Sequence, residues 1–277
     1  MEPWRIVVSD VVKEFSGEKG AMTRALDGVS FEIAAGDWAV LVGPNGSGKS
    51  TMLNLLAGRL RPDSGTVTFV HDGKESSWHA LPAAERARHF AYIHQDPRAG
   101  SFANLTVAEN LRLASLASAR FWRRAITGPV EAGLAERLAK SGLANKLGAR
   151  LFELSQGQRQ MVALEAALIR APRLLLADEH TASLDQENAK QCMTLTTELW
   201  ERHGAAVMMI THDAVAAQQY GTRLLAFRAG KLVANMPAEK KNAMDLPRLL
   251  AYCGMGDWKG EAAEAAPAPN PSGAGRD

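Results

Sequence analysis

GPNGSGKST, at residues 43–51, specifies more of this chain's architecture than any other stretch. It fits the pattern G-x-x-x-x-G-K-[ST], a phosphate-cradling loop that joins a strand to a helix. The apolar run Trp38 to Val42 precedes the loop, as a buried parallel strand should. From Ser50 to Leu60, apolar residues recur at helical spacing. We therefore predict a strand, a loop and a helix here, and with them a nucleotide site.

The residue types of the loop suit phosphate binding for physical reasons. Gly43, Gly46 and Gly48 allow positive φ, so successive N–H groups can point into one concavity at the positive end of the helix dipole. Lys49 should reach the β- and γ-phosphates, and the Ser50 hydroxyl should bind Mg²⁺. A chance glycine-rich turn is the alternative, but the bare pattern arises by luck in roughly one such chain in a hundred. The loop residues expected to contact the nucleotide are Gly43, Pro44, Asn45, Gly46, Ser47, Gly48, Lys49, Ser50 and Thr51.

Composition and charge exclude several classes of protein. The 277 residues, 46% hydrophobic and 22% charged, suit one large domain or two closely packed ones. A formal net charge of +2 gives no reason to expect nucleic acid or anionic lipid as a partner. Cys192 and Cys253 are far apart and predict reduced, buried thiols. Without a signal peptide or an apolar run of roughly 20 residues, we expect a cytosolic chain that meets a membrane only as a peripheral subunit.

The N-terminal region predicts an antiparallel sheet. Ile6 to Phe15 and Asp27 to Ile33 have the character of strands, and Thr66 to Val70 follows a strong turn. Phe15 lies near the end of the first strand, where an aromatic ring could stack on adenine. For that residue alone, ordinary strand packing is an equally good explanation.

From Phe102 to about Leu151 the pattern changes from strand to helix, after one further predicted strand. The buried strand Phe90 to His94 runs into Gln95, at the end of a strand where open sheets bind ligands. Taken alone, Gln95 is better explained as a polar loop residue. Thr106 to Glu109 is a capping box that opens a helix through Leu116, and a second helix is predicted over Val130 to Ser141. The exposed cluster Phe121 to Arg124 suits either a solvated loop or a docking surface.

Residues 154–160, LSQGQRQ, open the helix that continues from Met161 to Ile169. Ser155 and Gln158 fit a capping box, so helix initiation explains both. However, the polar density and Gly157 in the first turn exceed what a cap needs. The exposed helix start is therefore a second candidate anion site.

Two later strands deliver polar groups to the same predicted sheet edge. Arg173 to Glu179 is an apolar run that ends in the carboxylates Asp178 and Glu179, a pair that suits Mg²⁺ positioning and activation of water. After a helix from about Gln186 to Arg202, the strand Ala205 to Ile210 delivers His212, which has a reason to meet the γ-phosphate.

Together these residues resemble the ATP-binding subunit of ABC transporters over roughly residues 4–250. Residues 43–51 match its Walker A motif, Leu174 to Asp178 its Walker B motif, and Leu154 to Gln158 its signature motif. Gln95 matches the Q-loop of the family, and Ser183–Asp185 matches its D-loop. Glu179 matches the catalytic glutamate, His212 the switch histidine, and Phe15 the adenine-stacking position.

The resemblance implies an α/β fold: a P-loop NTPase with a mainly parallel core sheet, an N-terminal antiparallel β subdomain and an inserted α-helical subdomain. The ATP-binding domain would span residues 1–254, with the helical subdomain at about 100–168, and the Ala/Pro-rich tail 255–277 would be disordered. ATP would bind together with Mg²⁺, which would be held by Ser50, Gln95 and Asp178. This binding would close a head-to-tail dimer. In that dimer Ser155, Gly157, Gln158 and Asp185 of one copy face the nucleotide of the other.

The family also implies partners and a place of action. Integral membrane permease subunits and a solute-binding protein would complete the system on the cytoplasmic side of the plasma membrane. Asp178-Glu179-His180-Thr181 departs from the commoner Asp-Glu-Pro-Thr, and Gln156 stands where glycine is commonest. With the surrounding sequence, this looks like a poorly characterised bacterial importer branch, some members of which are linked to aromatic amino-acid uptake.

Two alternatives to a transporter subunit explain less of the sequence. A soluble ABC-type ATPase acting on nucleic acid or ribosomes typically carries two cassettes or a long coiled-coil insertion, whereas this chain has one cassette and a modest helical stretch. A P-loop kinase leaves the signature helix and His212 unexplained. The transporter ATPase is therefore the preferred hypothesis.

Overall fold

The strands follow the apolar patterns of the sequence closely. The computed structural model describes residues 4–17, 21–116, 138–139 and 141–254. Within those residues the chain forms ten strands: β1 (Trp4–Ser16), β2 (Met22–Ala34), β3 (Trp38–Val42), β4 (Ser64–His71), β5 (Lys74–Ser77), β6 (Phe90–Ile93), β7 (Leu174–Asp178), β8 (Ala206–Ile210), β9 (Arg223–Arg228) and β10 (Lys231–Pro237).

The same described residues form eight α-helices, and two short 3₁₀ turns at Ala144–Lys146 and Leu151–Glu153. None of these helices combines the length and apolar character needed to cross a membrane. The helices are α1 (Lys49–Leu56), α2 (Ala83–His89), α3 (Val107–Leu116), α4 (Gln156–Arg170), α5 (Gln186–His203), α6 (Ala214–Gln219), α7 (Ala238–Asn242) and α8 (Leu246–Cys253).

One of two units of the chain comprises Met1–Pro82 and Thr211–Asp277. It contains an antiparallel sheet in the order β2-β1-β4-β5, which confirms the predicted N-terminal antiparallel sheet. It also contains β3, which pairs in parallel with β9, and β10, which pairs antiparallel to β9. All five residues of β3 are buried, so the strand that leads into the glycine-rich loop is fixed by core packing.

The other unit is Ala83–Ile210. Its strands β6, β7 and β8 pair in parallel, with β7 in the middle. Leu174, Leu175, Leu176 and Ala177 of β7 are all buried, as expected for a strand covered on both faces. The helix α4 packs against α3 and α5. The parallel pairs in both units confirm the predicted α/β class with mainly parallel strands.

Several element boundaries differ from the sequence prediction. The helix expected over Ser50 to Leu60 ends at Leu56, because Ala57 caps it and Gly58 turns the chain with a φ of +70°. The strand expected from Asp27 begins at Met22. The short elements β5, α6 and α7 were not predicted.

Three predictions lie wholly or mostly outside the described residues: the helix over residues 130–141, the aromatic and basic cluster at residues 121–124, and the tail at residues 255–277. Cys192 and Cys253 are buried, as predicted. Burial raises the thiol pKa of Cys192 to about 12 and that of Cys253 to about 11.

Candidate functional site

The glycine-rich loop leaves β3 and enters α1 through backbone conformations that only glycine adopts easily. Gly43 has a φ of +142°, and a Cβ there would lie 2.1 Å from the carbonyl oxygen of Phe227. Gly48 has a φ of +107°, and a Cβ there would lie 2.5 Å from the carbonyl oxygen of Ala25. Backbone packing as well as backbone conformation therefore requires glycine at both positions. Gly48 is also the N-cap of α1, and it brings no side chain to cap that helix.

Lys49 lies inside this loop, with only 5% of its surface exposed. Its ammonium group donates hydrogen bonds to the carbonyl oxygens of Gly43, at 2.7 Å, and Pro44, at 2.9 Å. The Ser47 hydroxyl lies 3.5 Å from the same nitrogen. A buried positive charge is thus held by neutral oxygens of the loop, at the N-terminal end of a helix, where the field favours an anion. The concavity has the donors and the charge that a phosphate group requires.

Two further predicted site residues belong to the same unit as the loop. The segment carrying His212 lies beside β3, because the N–H of Thr211 donates to the carbonyl of Leu41 at 3.3 Å. Asp213 caps α6 by accepting from the N–H of Val215 at 2.8 Å, which fixes the chain direction just after His212. Phe15 lies near the end of β1 with 39% of its surface exposed, so its ring is available to a ligand.

In the other unit, the end of β7 carries the paired carboxylates. Asp178 accepts a hydrogen bond from the Tyr92 hydroxyl at 2.9 Å. Glu179 accepts one from the side-chain amide of Gln95 at 3.1 Å. Because β6 and β7 are parallel neighbours, their carboxyl ends place Tyr92 and Gln95 beside the two acids. The predicted association of Gln95 with this sheet edge follows directly from that pairing.

Glu179 has an unusual backbone. Its φ is +47°, a left-handed conformation that a residue with a β-carbon keeps only where its surroundings hold it. Its N–H donates to the carbonyl of Ile210 at 3.2 Å, and its own carbonyl accepts from Ala182 at 3.0 Å. The turn after β7 is therefore fixed on both sides, and the Glu179 carboxylate leaves it in a defined direction.

The start of α4 is a satisfied capping box, as the sequence predicts. The Ser155 hydroxyl accepts from the N–H of Gln158 at 3.3 Å, and the Gln158 side chain accepts from the N–H of Ser155 at 3.1 Å. Gly157 is buried, and a Cβ there would lie 2.7 Å from the side chain of Asn188. The two helix starts, of α4 and α5, are thus in contact.

Gln156, which replaces the commoner glycine, joins the same pair of helix starts. Its side-chain amide donates to the Ser183 hydroxyl at 2.6 Å. Asp185 caps α5 by accepting from the N–H of Asn188 at 2.8 Å, and the Asn188 hydrogen bonds lower the pKa of the Asp185 carboxyl. The signature segment and the Ser183 to Asp185 segment of one chain therefore form a single hydrogen-bonded surface.

His180 follows Glu179 and lies in the core, with 2% of its surface exposed. Burial lowers the pKa of this imidazole to about 4, so the ring is neutral near pH 7. Its Nε2 lies 3.2 Å from the hydroxyl oxygen of Thr196 in α5. A histidine at this position therefore makes a specific buried contact.

The structure thus gathers the predicted residues into two sets. In the first unit, the loop with Lys49 and the His212 segment lie at the end of β3. In the second unit, Gln95, Asp178 and Glu179 lie at the end of β7. The same unit carries Ser155, Gly157 and Asp185 at two helix starts that contact each other. Sequence reasoning missed Tyr92, Asn188 and Thr196, whose partners lie on other elements. Among the described residues, no group of three or more His, Cys, Asp or Glu side chains could hold a metal ion by itself.

The fold and these two sets of residues define a class of protein. Residues 26–182 match the model of the ABC transporter family, and this chain belongs to that family. It is 29% identical over 247 residues to a tyrosine transport ATP-binding protein of Clostridioides difficile, which covers 88% of this chain and 96% of that one. It is 35% identical over 239 residues to the phosphonates import ATP-binding protein PhnC 1 of Rhodopseudomonas palustris, over 85% of this chain and 83% of that one.

A solved structure supports the same assignment. A dimeric ATP-binding cassette in a post-hydrolysis state, bound to ADP and Pi, superposes with a TM-score of 0.69 at 26% identity, over 84% of this chain and 98% of that chain. The chain is accordingly an ATP-binding subunit of an ABC transporter, a P-loop NTPase that hydrolyses ATP to power transport. These findings confirm the predicted family, fold class and enzymatic activity.

Proposed function

We propose that this chain energises a bacterial ABC importer of a small organic solute, with Glu179 as the residue that polarises the attacking water. The role proposed for Glu179 rests on the geometry of this residue. It follows Asp178 at the end of β7, its backbone is held at a φ of +47°, and its carboxylate accepts from the Gln95 amide at 3.1 Å. A carboxylate held in one orientation at a ligand-binding strand edge suits a general base.

The other residues of the proposed site would bind and orient ATP. The loop N–H groups and Lys49 would hold the phosphates, with the Lys49 ammonium exchanging its two carbonyl acceptors for phosphate oxygens. The exposed ring of Phe15 would stack on adenine. His212, set just after β8 and beside β3, would contact the γ-phosphate. The same phosphates would be contacted by the remaining residues of the loop, which are Pro44, Asn45, Ser47 and Thr51.

The oxygen groups of Ser50, Gln95 and Asp178 would hold Mg²⁺ together with phosphate oxygens of ATP. Mg²⁺ typically takes one or two protein carboxylates and completes its coordination with phosphate and water, so a set of three weak protein ligands fits it. Asp178 suits this role, because the Tyr92 hydroxyl donates to its carboxylate and fixes the orientation of that group. When bound, the ion neutralises charge that develops on the phosphate oxygens.

A second copy of the chain would supply the other face of each nucleotide site. Ser155, Gly157, Gln158 and Asp185 lie at two exposed helix starts that contact each other and form one polar surface. A surface of this kind suits the γ-phosphate of an ATP bound to a partner copy in a head-to-tail dimer. The superposed cassette is itself dimeric, which supports this arrangement. ATP binding would close the dimer, and hydrolysis would reopen it.

The solute and the remaining partners are proposed from the relatives. Their names assign them to tyrosine transport and phosphonate import, so we propose an importer with integral membrane permease subunits and a solute-binding protein. An amino-acid-like solute agrees with the first of these relatives. The chain would act at the cytoplasmic side of the plasma membrane, with residues 1–254 as its ATP-binding domain and about 100–168 as the helical subdomain.

The substitution Glu179→Gln tests the central role. It keeps the side-chain volume and the backbone contacts but removes the base, so ATP should still bind while steady-state hydrolysis falls by about a hundredfold or more. ATP should also trap a dimer that is visible by size-exclusion chromatography. Glu201→Gln, an exposed carboxylate near the C-terminal end of α5, is the matched control and should hydrolyse ATP like the wild type. Undiminished hydrolysis by Glu179→Gln would sink the role proposed for Glu179.

A further inference from the structure

His180 is the buried side chain closest in sequence to Glu179, and it makes one specific contact. Its Nε2 lies 3.2 Å from the hydroxyl oxygen of Thr196, which is itself fully buried in α5. That hydroxyl lies 2.9 Å from the carbonyl oxygen of Cys192, one turn earlier in the same helix. The three groups form a short hydrogen-bonded chain from the Glu179 turn into the helix.

The direction of the hydrogen bonds follows from counting donors. A threonine hydroxyl has one proton, and the Cys192 carbonyl can only accept, so the Thr196 hydroxyl donates to it. The hydroxyl oxygen must then accept from Nε2–H of His180, which assigns the neutral Nε2–H tautomer. The other ring nitrogen, Nδ1, is buried without a hydrogen-bond partner, and in this tautomer it carries no proton. No buried N–H or O–H in the chain of three is then left without an acceptor.

The position of this contact gives it a consequence for Glu179. The left-handed backbone of Glu179 persists only where neighbouring groups hold it. Two hydrogen bonds hold the backbone of Glu179, and the side chain of the next residue is in addition anchored in the core. A loss of that anchor frees the Cα of His180 to move, and with it the direction in which the Glu179 carboxylate points.

We propose that His180 is a positioning residue for ATP hydrolysis, which fixes Glu179 in its productive orientation through the Nε2–H hydrogen bond to Thr196. The inference rests on the role of Glu179 proposed above. It predicts an effect on turnover and not on nucleotide affinity, because the contact lies in the core of the unit that carries Glu179.

The test compares two threonines of α5 in the full chain. Thr196→Val removes the acceptor of His180, whereas Thr197→Val removes a partly buried hydroxyl of the same helix that donates to the carbonyl of Met193 at 2.8 Å. Thr196→Val should lower kcat for ATP hydrolysis by on the order of tenfold, with KM for ATP within about twofold of the wild type, since a small misplacement of a reacting group is costly. Thr197→Val should leave both constants unchanged.

Variants of His180 provide the rescue. His180→Gln keeps an amide N–H about as far from the backbone as Nε2 and should retain most of the wild-type kcat, whereas His180→Phe should match Thr196→Val. The double variant of His180→Phe and Thr196→Val should be no slower than the slower single variant, because both remove one interaction. If His180→Phe does not fold, Thr196→Val and Thr196→Ser, which keeps the hydroxyl, decide the question alone.

Two results would overturn the inference. One is an equal kcat for the Thr196→Val and Thr197→Val variants; the other is a fall in kcat of Thr196→Val that Thr196→Ser does not restore. Turnover by Glu179→Gln distinguishes the two levels of the proposal. If that variant is inactive while Thr196→Val is fully active, only the positioning role fails. If Glu179→Gln is itself active, the role of Glu179 fails first.

Discussion

Replacing Gly43 with alanine should damage both stability and ATP binding, and the structure gives the reason. The added Cβ would lie 2.1 Å from the carbonyl oxygen of Phe227 and 2.9 Å from the Ser47 hydroxyl oxygen, whereas real Cβ atoms essentially never come within 3.0 Å of a heavy atom outside their own chain neighbourhood. The Phe227 carbonyl belongs to β9, which is paired with β3 on one side and β10 on the other. The strand cannot easily retreat, so the loop must move by about 1 Å.

The expected magnitude combines two effects. A φ of +142° strains alanine by about 1–3 kcal/mol, and the steric conflict adds about 1–3 kcal/mol, so Gly43→Ala should cost about 2–6 kcal/mol. Gly36→Ala is the matched control, because Gly36 also has a positive φ, of +79°, but has no atom within 4 Å of the added Cβ. Its cost should be about 1 kcal/mol.

The assay has two parts. Urea unfolding of the nucleotide-free chain should place the midpoint of Gly43→Ala clearly below that of Gly36→Ala. Calorimetric titration should show ATP affinity reduced by at least about tenfold for Gly43→Ala and unchanged for Gly36→Ala, because movement of Gly43 displaces a carbonyl that positions the Lys49 ammonium. Equal midpoints and equal affinities for the two variants would refute this account of the loop.

Two further predictions concern the buried lysine and the partners. Burial lowers the pKa of Lys241 to about 8 from the ordinary 10.5, so between these two pH values the unfolded chain binds more protons than the folded chain. The urea midpoint should therefore rise with pH more steeply for the wild type than for Lys241→Met, and parallel pH profiles would contradict this. A tagged chain isolated in mild detergent should bring an integral membrane protein with it, whereas recovery with nucleic acid or ribosomes would favour a soluble ATPase.

Much of the site could be predicted because it lies at the ends of buried strands. The apolar runs of β3, β7 and β8 are unambiguous in the sequence, and whatever follows a parallel strand lies at the edge where ligands bind. The loop, the acids after β7 and His212 were therefore proposed as site residues from the sequence alone. The capping boxes at Thr106 and Ser155 were equally predictable, because their hydrogen bonds connect residues three apart.

The parts that were missed depend on contacts between elements or on backbone conformation, and not on the residue pattern within one element. The strand β5, KESS, has no apolar alternation, and it forms because the edge of β4 pairs with it. The Tyr92 hydroxyl meets Asp178 only because β6 and β7 are neighbours in the sheet. The helix after the glycine-rich loop ended early because Gly58 adopts a positive φ, which a count of apolar residues does not register.

The two departures from the commoner family pattern have a physical connection that the sequence alone does not reveal. Gln156 donates to Ser183, and His180 bonds to Thr196, so the segment from Glu179 to Asp185 is tied at one point to the start of α4 and at another to the body of α5. A glycine at residue 156 and a proline at residue 180 could make neither bond. The proposed base and the proposed partner-facing Asp185 therefore lie on one segment whose two anchors are specific to this chain's own residues.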